Sequence, residues 1–218
     1  MPRLMLLVEF IVLYVALPLA YRFSRLRVLG LPLLWLVSGY AFWQLLHDPN
    51  FDRARLWNAG QLPGRLVSIL VLFAISAFPL WLGVRRFAPH LQWNFVRTRP
   101  ALWAVVVVAY PLLSVYPQGL LYRAFFFERY SALFPVNWAI ILASAVAFAF
   151  LHIVFRNPLA PALTLPGGLL FAFRYSQTGS LATSSFEHAL YGCWLFTLGL
   201  GQYFFHGAIP QKDKIQSI

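Results

Sequence analysis

The chain has 218 residues, 61% of them hydrophobic and only 11% charged, against about 45–50% apolar and about 25% charged in a soluble domain. That composition excludes a water-soluble core and makes lipid the solvent. The formal charge of +11 does not point to nucleic acid, because the arginines lie in short connections between apolar segments without a basic face or recognition motif; a topogenic bias facing anionic headgroups accounts for them.

Apolar stretches of spanning length are expected at 4–20, 28–46, 67–84, 101–115, 137–155, 158–173 and 188–205, each near the ~20 residues a helix needs to cross the hydrocarbon core. The first is too long for the apolar region of a signal peptide, contains Glu9 and lacks a small-residue cleavage site, so it reads as a retained span. An eighth piece, 118–130, is too short and too charged to face lipid. It reads as a half-helix, or as the fourth span continued past Pro117, facing the bundle interior. Backbone groups at that depth need internal partners. The expectation is therefore an all-α, polytopic bundle of seven to eight transmembrane helices forming one integral membrane domain.

The connections are short and punctuated by Pro, Gly and Asn. Arg22, Arg25, Arg27, Arg85, Arg86, Arg97 and Arg99, with Lys212 and Lys214, suit one cytoplasmic side and put the N-terminus outside, although Arg53, Arg55 and Arg65 weigh against it. Gly167 and Gly168 inside an apolar stretch suit close helix packing better than an irregular cavity lining. The lone Cys193 excludes an internal disulfide.

Apart from Glu9, the intramembrane ionisable groups fall in the second half: Arg123, Glu128, Arg129, His152, Arg174, Glu187 and His188. Such groups mark a functional site by default. Glu128, Arg129 and Arg174 read as interfacial residues whose long side chains snorkel. Helical spacing puts 119 with Arg123, Phe148 with His152, and His188 with Gly192 on shared faces. Three helices can so deliver Arg123, His152 and His188 to one polar pocket, although a single histidine near a span end is more often structural.

The segments QGLLYR (118–123), FAFLH (148–152) and HALYG (188–192) together resemble the CPBP family, the CAAX-processing and bacteriocin-self-immunity (Abi) membrane proteases. That family's motifs run Glu-Glu-x-x-x-Arg, Phe-x-x-x-His and His-x-x-x-Asn/Asp on separate transmembrane helices. The resemblance covers roughly residues 100–205. It implies an intramembrane endopeptidase acting on membrane-associated peptides or proteins, embedded in membrane lipid and without nucleic acid. It also suggests a bacterial inner membrane. By the same resemblance, Gln118, Gly119, Arg123, His152 and His188 hold the catalytic positions, and Tyr122, Phe148, Gly192 and Cys193 stand where substrate would be met. His152 and His188 are the family's candidate ligands for zinc, although its motif residues suit a metal-free site equally.

The chain departs from the pattern where chemistry begins. Both motif glutamates are replaced, by Gln118 and Gly119, and the third motif ends on Gly192. Gln118 can orient a water but cannot take its proton. Glu187 is adjacent to His188 and Glu128 is five residues from Arg123, both off the relevant faces. A histidine acting as base, a zinc set including Glu187, or Cys193 as nucleophile are weaker substitutes. The expectation is a peptidase architecture that is weak or inactive, or else a silent relative that binds membrane peptides as a self-immunity or chaperone-like factor. A small transporter is disfavoured, since no paired broken helices occur in two related halves.

Overall fold

The computed structural model describes residues 2–25 and 29–204; Arg27, Lys212 and Lys214 lie outside them. Seven long helices follow one another among the described residues: α1 Arg3–Phe23, α2 Gly30–His47, α3 Leu62–Phe87, α4 Pro100–Leu133, α5 Asn137–Phe155, α6 Leu159–Thr178 and α7 Leu181–Leu198. Short helices at Ala54–Trp57 and Asn94–Thr98 sit in the connections, and no strand occurs among the described residues. Four helices, α1, α3, α4 and α5, are long and apolar enough to cross a membrane. The expected seven to eight spans are not reached on length and apolarity. The shortfall in α6 and α7 has a physical cause: Arg174, Thr164, Thr183, Ser184, Glu187 and His188 are polar and buried inside the bundle.

The stretches expected at 101–115 and 118–130 form one helix, so the continuation alternative is the correct one. Its first half exposes Leu102, Val105, Val108 and Leu112, whereas every residue from Pro117 to Phe126 is buried. Pro117 does not break α4. A proline removes the bond to the carbonyl four residues earlier, here Leu113, and the Trp35 indole of α2 donates to that oxygen at 2.9 Å. The carbonyls of Pro117, Leu121 and Tyr122 accept from Ser38 of α2, Tyr14 of α1 and Ser144 of α5 at 2.9, 2.9 and 2.6 Å. Wide π-turns cover Pro111–Val115 and Leu120–Phe125, and another, Val12–Ala16, precedes Pro18 in α1. Neighbouring side chains thus satisfy backbone groups that lipid cannot.

α4 is the axis of the core, where Tyr14, Tyr122, Phe125, Phe126, Tyr130 and Phe148 are completely buried. Gly168 lets α6 approach α5 closely: a Cβ there would lie 3.2 Å from the Ala145 backbone and 3.1 Å from Phe148. The packing reading of that glycine pair holds for Gly168.

Three ion pairs answer these charges, and the first corrects the expectation of snorkelling for Arg174. Arg174 is buried, 5% exposed at its side chain, and its Nε and Nη2 donate to both oxygens of the fully buried Glu187 at 2.8 and 3.1 Å, with Nη1 on Ser68. Arg129 donates to Glu9 at 3.0 Å, and Glu9 also accepts from Tyr40 at 2.6 Å. Glu128 faces Arg55 at 3.5 Å. An interior charge in a low-dielectric setting is tolerated only when answered in this way.

Candidate active site

The site assembles around the ring of Phe148. The Arg123 guanidinium lies 4.6 Å from its centroid, the His152 ring 4.7 Å, the His188 ring 5.3 Å and the Tyr122 ring 5.5 Å. Helices α4, α5 and α7 therefore deliver Arg123, His152 and His188 to one place. Phe171 of α6 closes the other side, stacked on His188 at 4.6 Å and 5.3 Å from the guanidinium. Arg123 is held between two aromatic faces, and none of its three nitrogens has a hydrogen-bond partner among the described residues. Stacking of this kind compensates a desolvated cation in part.

Beside this cluster lies a cavity of about 1140 Å³, reached by side chains from all seven long helices. Its wall is mostly apolar, with Gln118, Tyr122, His152, His188, Tyr110 and Ser114 among the polar side chains that line it. Gly192 and Phe148 line it too; Arg123, Gly119 and Cys193 do not.

Each motif residue has a definite neighbour. Gln118 donates from Nε2 to Ser114 Oγ at 2.7 Å, leaving its buried Oε1 without a partner. A Cβ at Gly119 would meet Leu181 Cδ1 and the unpartnered Ser185 Oγ at 2.9 Å, with Arg123 Nη1 at 3.9 Å. A carboxylate on that position would reach the guanidinium, and the close atoms belong to side chains rather than backbone. His152 Nδ1 lies 2.8 Å from the Phe148 carbonyl. A carbonyl only accepts, so Nδ1 carries the proton and Nε2 presents a lone pair. His188 Nε2 lies 3.4 Å from the Tyr110 hydroxyl, and its buried Nδ1 has no partner.

The considered substitutes fare poorly. Glu187 is committed to Arg174 and Glu128 to Arg55. The Cys193 thiol sits 3.7 Å from the Val107 carbonyl, off the cavity wall. Zinc does not fit the residues present. A zinc site takes three or four protein ligands, and among the described residues no group of three His, Cys, Asp or Glu comes together. His152 and His188 alone, each with one nitrogen already engaged and the Arg123 cation at the same ring, are an unsuitable pair.

Sequence reading missed Tyr110, Ser114, Ser185 and Phe171. For the α4 residues a signal existed. Tyr110, Ser114, Gln118 and Tyr122 recur every four residues and all line the cavity, so a polar stripe was visible on one face of an otherwise apolar helix. Phe171 carried no such signal, since one aromatic among so many is not distinguished by spacing.

Residues 99–194 match the family of Rce1-like, type II CAAX prenyl endopeptidases. No curated protein and no solved structure matches the chain. The matched segment contains all of α4, α5 and α6, most of α7 and all three motifs. Residues 99–194, the part that holds Arg123, Phe148, His152 and His188, are thus similar to the Rce1-like family, that is, the CPBP family.

Proposed function

We propose that this chain is an intramembrane endopeptidase scaffold of the CPBP type, which receives membrane-associated peptides in the apolar cavity and is weak or inactive as a hydrolase because position 119 is glycine. The observation that carries the reading is the convergence of Arg123, His152 and His188 on Phe148, beside a cavity whose wall is mostly apolar.

The steps available to these side chains are limited. Gln118 Oε1 accepts one hydrogen of a water and orients it. His152 Nε2 is the lone pair present to take a proton from that water as it attacks the carbonyl carbon. Arg123, with three unpartnered nitrogens and no carboxylate to neutralise it, supplies positive potential as negative charge develops on the carbonyl oxygen. Losing a placed general base costs about 10²–10⁴ in rate, which matches a site with no carboxylate in it. The test is Gly119→Glu with a reporter peptide in detergent or bilayers. The expected outcome is cleavage at least ~10²-fold above the parent chain, abolished by a further His152→Ala. Folded Gly119→Glu protein that binds peptide and never cuts it would overturn the peptidase reading.

A second reading is supported by the same glycine: a silent relative that binds membrane peptides without cutting them, as a self-immunity or chaperone-like factor would. Crosslinking of peptide to the cavity in the parent chain, with no cleavage in parent or Gly119→Glu variant, separates it from the first. The protein is an integral membrane protein by its apolar helices and family. Placement in a bacterial inner membrane belongs to the proposal, as does lipid as its solvent partner. Equilibrium dialysis against zinc tests the metal question, and the donor set gives an expected stoichiometry far below one.

A further inference from the structure

The third motif ends on Gly192, where the resemblance calls for Asn or Asp, and the space such a side chain would occupy is already filled. A Cβ built on Gly192 would fall on Tyr110, against Cε1, Cζ and the hydroxyl oxygen, far inside van der Waals contact. Tyr110 comes from α4, not α7, and its ring packs edge-on to His188 and against Phe196. Its hydroxyl is at the cavity wall and 3.4 Å from His188 Nε2. Gly192 and Tyr110 therefore act as a pair: the glycine vacates a position that the phenol enters from the neighbouring helix.

The direction of that hydrogen bond follows from satisfaction. A phenol carries one proton and must place it. Among the described residues His188 Nε2 is the partner recorded for the Tyr110 hydroxyl. Were Nε2 to carry the proton and donate, both the phenol hydrogen and the buried His188 Nδ1 lone pair would be left without a partner among the described residues, whereas with the phenol donating only the Nδ1–H is left over. With the phenol donating, Nε2 accepts and the His188 proton stands on Nδ1.

We propose that Tyr110 is the positioning residue of this site, its hydroxyl standing in for the missing third-motif side chain and fixing His188 in the Nδ1–H tautomer. The inference deepens the peptidase reading and rests on it for any effect on turnover, while the tautomer itself does not depend on cleavage.

Two measurements decide it. In ¹⁵N-histidine-labelled protein, His188 is expected as the Nδ1–H tautomer in the parent chain, and Tyr110→Phe, which keeps the ring and removes only the hydroxyl, is expected to shift it towards Nε2–H or a tautomer mixture. An unchanged His188 signal in Tyr110→Phe overturns the proposal whether or not the protein cleaves anything. In the Gly119→Glu background, Tyr110→Phe is expected to lower kcat about tenfold or more with KM nearly constant. Unchanged kcat in a Gly119→Glu enzyme that does cut overturns the role of Tyr110 and leaves the peptidase reading standing. A Gly119→Glu protein that cuts nothing removes that reading and leaves the tautomer measurement to decide. The exchange itself is tested by Gly192→Asn, expected to lose folded yield alone and to regain it with Tyr110→Ala; equal yields for the single and double variants would refute the shared position.

Discussion

Arg123 and Arg174 are both arginines buried in an apolar bundle, yet the protein treats them differently. Arg174 has a bidentate carboxylate in Glu187 and a hydroxyl in Ser68; Arg123 has two aromatic faces and no anion. The first is therefore structural and the second sits at the candidate site. Removing one member of a buried pair leaves an uncompensated charge, so Glu187→Gln is expected to destabilise the fold by ~3–5 kcal/mol, read as a fall in thermal midpoint in detergent. Joint replacement by Arg174→Met and Glu187→Leu is expected to recover most of that loss, because two apolar groups need no partner. A single substitution with no effect would mean the pair is hydrated.

At the scale of the element, α4 carries both the site and the irregularities. Two interior prolines, Pro111 and Pro117, and two π-turns lie in a helix that nonetheless runs unbroken from Pro100 to Leu133. Its disturbed carbonyls are bound by Trp35, Ser38, Tyr14 and Ser144, one or more from each of α1, α2 and α5. These bonds fix the rotation of α4, and so the direction in which Gln118 and Arg123 point. Interhelical hydrogen bonds in membranes average only about 0.6 kcal/mol. Ser38→Ala is accordingly expected to cost ~0.5–1 kcal/mol in unfolding free energy, measured by denaturation in mixed micelles, and much less than breaking the Arg174–Glu187 pair. A loss equal to that pair's would show that Ser38 holds the helix alone.

Over the whole molecule, the helices alternate in direction, and charge divides between the two ends. Arg22, Arg25, Arg85, Arg86, Arg97, Arg99 and Arg156 belong to one end, where Arg22 donates to the Ile153 carbonyl and Arg156 to the Arg22 carbonyl. Asp48, Asp52, Glu128 and Glu9 belong to the other, where they cap loops or pair with Arg55 and Arg129. The arginines at 53, 55 and 65 that argue against a simple orientation thus share their end with the acids. With the unbalanced arginine end placed in the cytoplasm, His90→Cys is expected to resist a membrane-impermeant maleimide in intact cells and Asn58→Cys to react, both in a Cys193→Ser background. The opposite labelling pattern would invert the topology.

From the residues alone it follows that the chain is helical and lives in lipid, and that Arg123, Phe148, His152 and His188 can meet at one candidate site, because apolar runs and four-residue spacing are one-dimensional quantities. The sequence located the lost carboxylates too, since a glycine is visible wherever it falls. Pairing is legible only in the folded molecule: that Arg174 answers Glu187, that Glu9 answers Arg129, that α4 passes through Pro117, and that Tyr110 fills the place Gly192 leaves. Each of these joins residues on different helices or across a proline. Partner choice there depends on helix rotation and depth, which lipid, unlike water, does not reveal through a strong polar-to-apolar face.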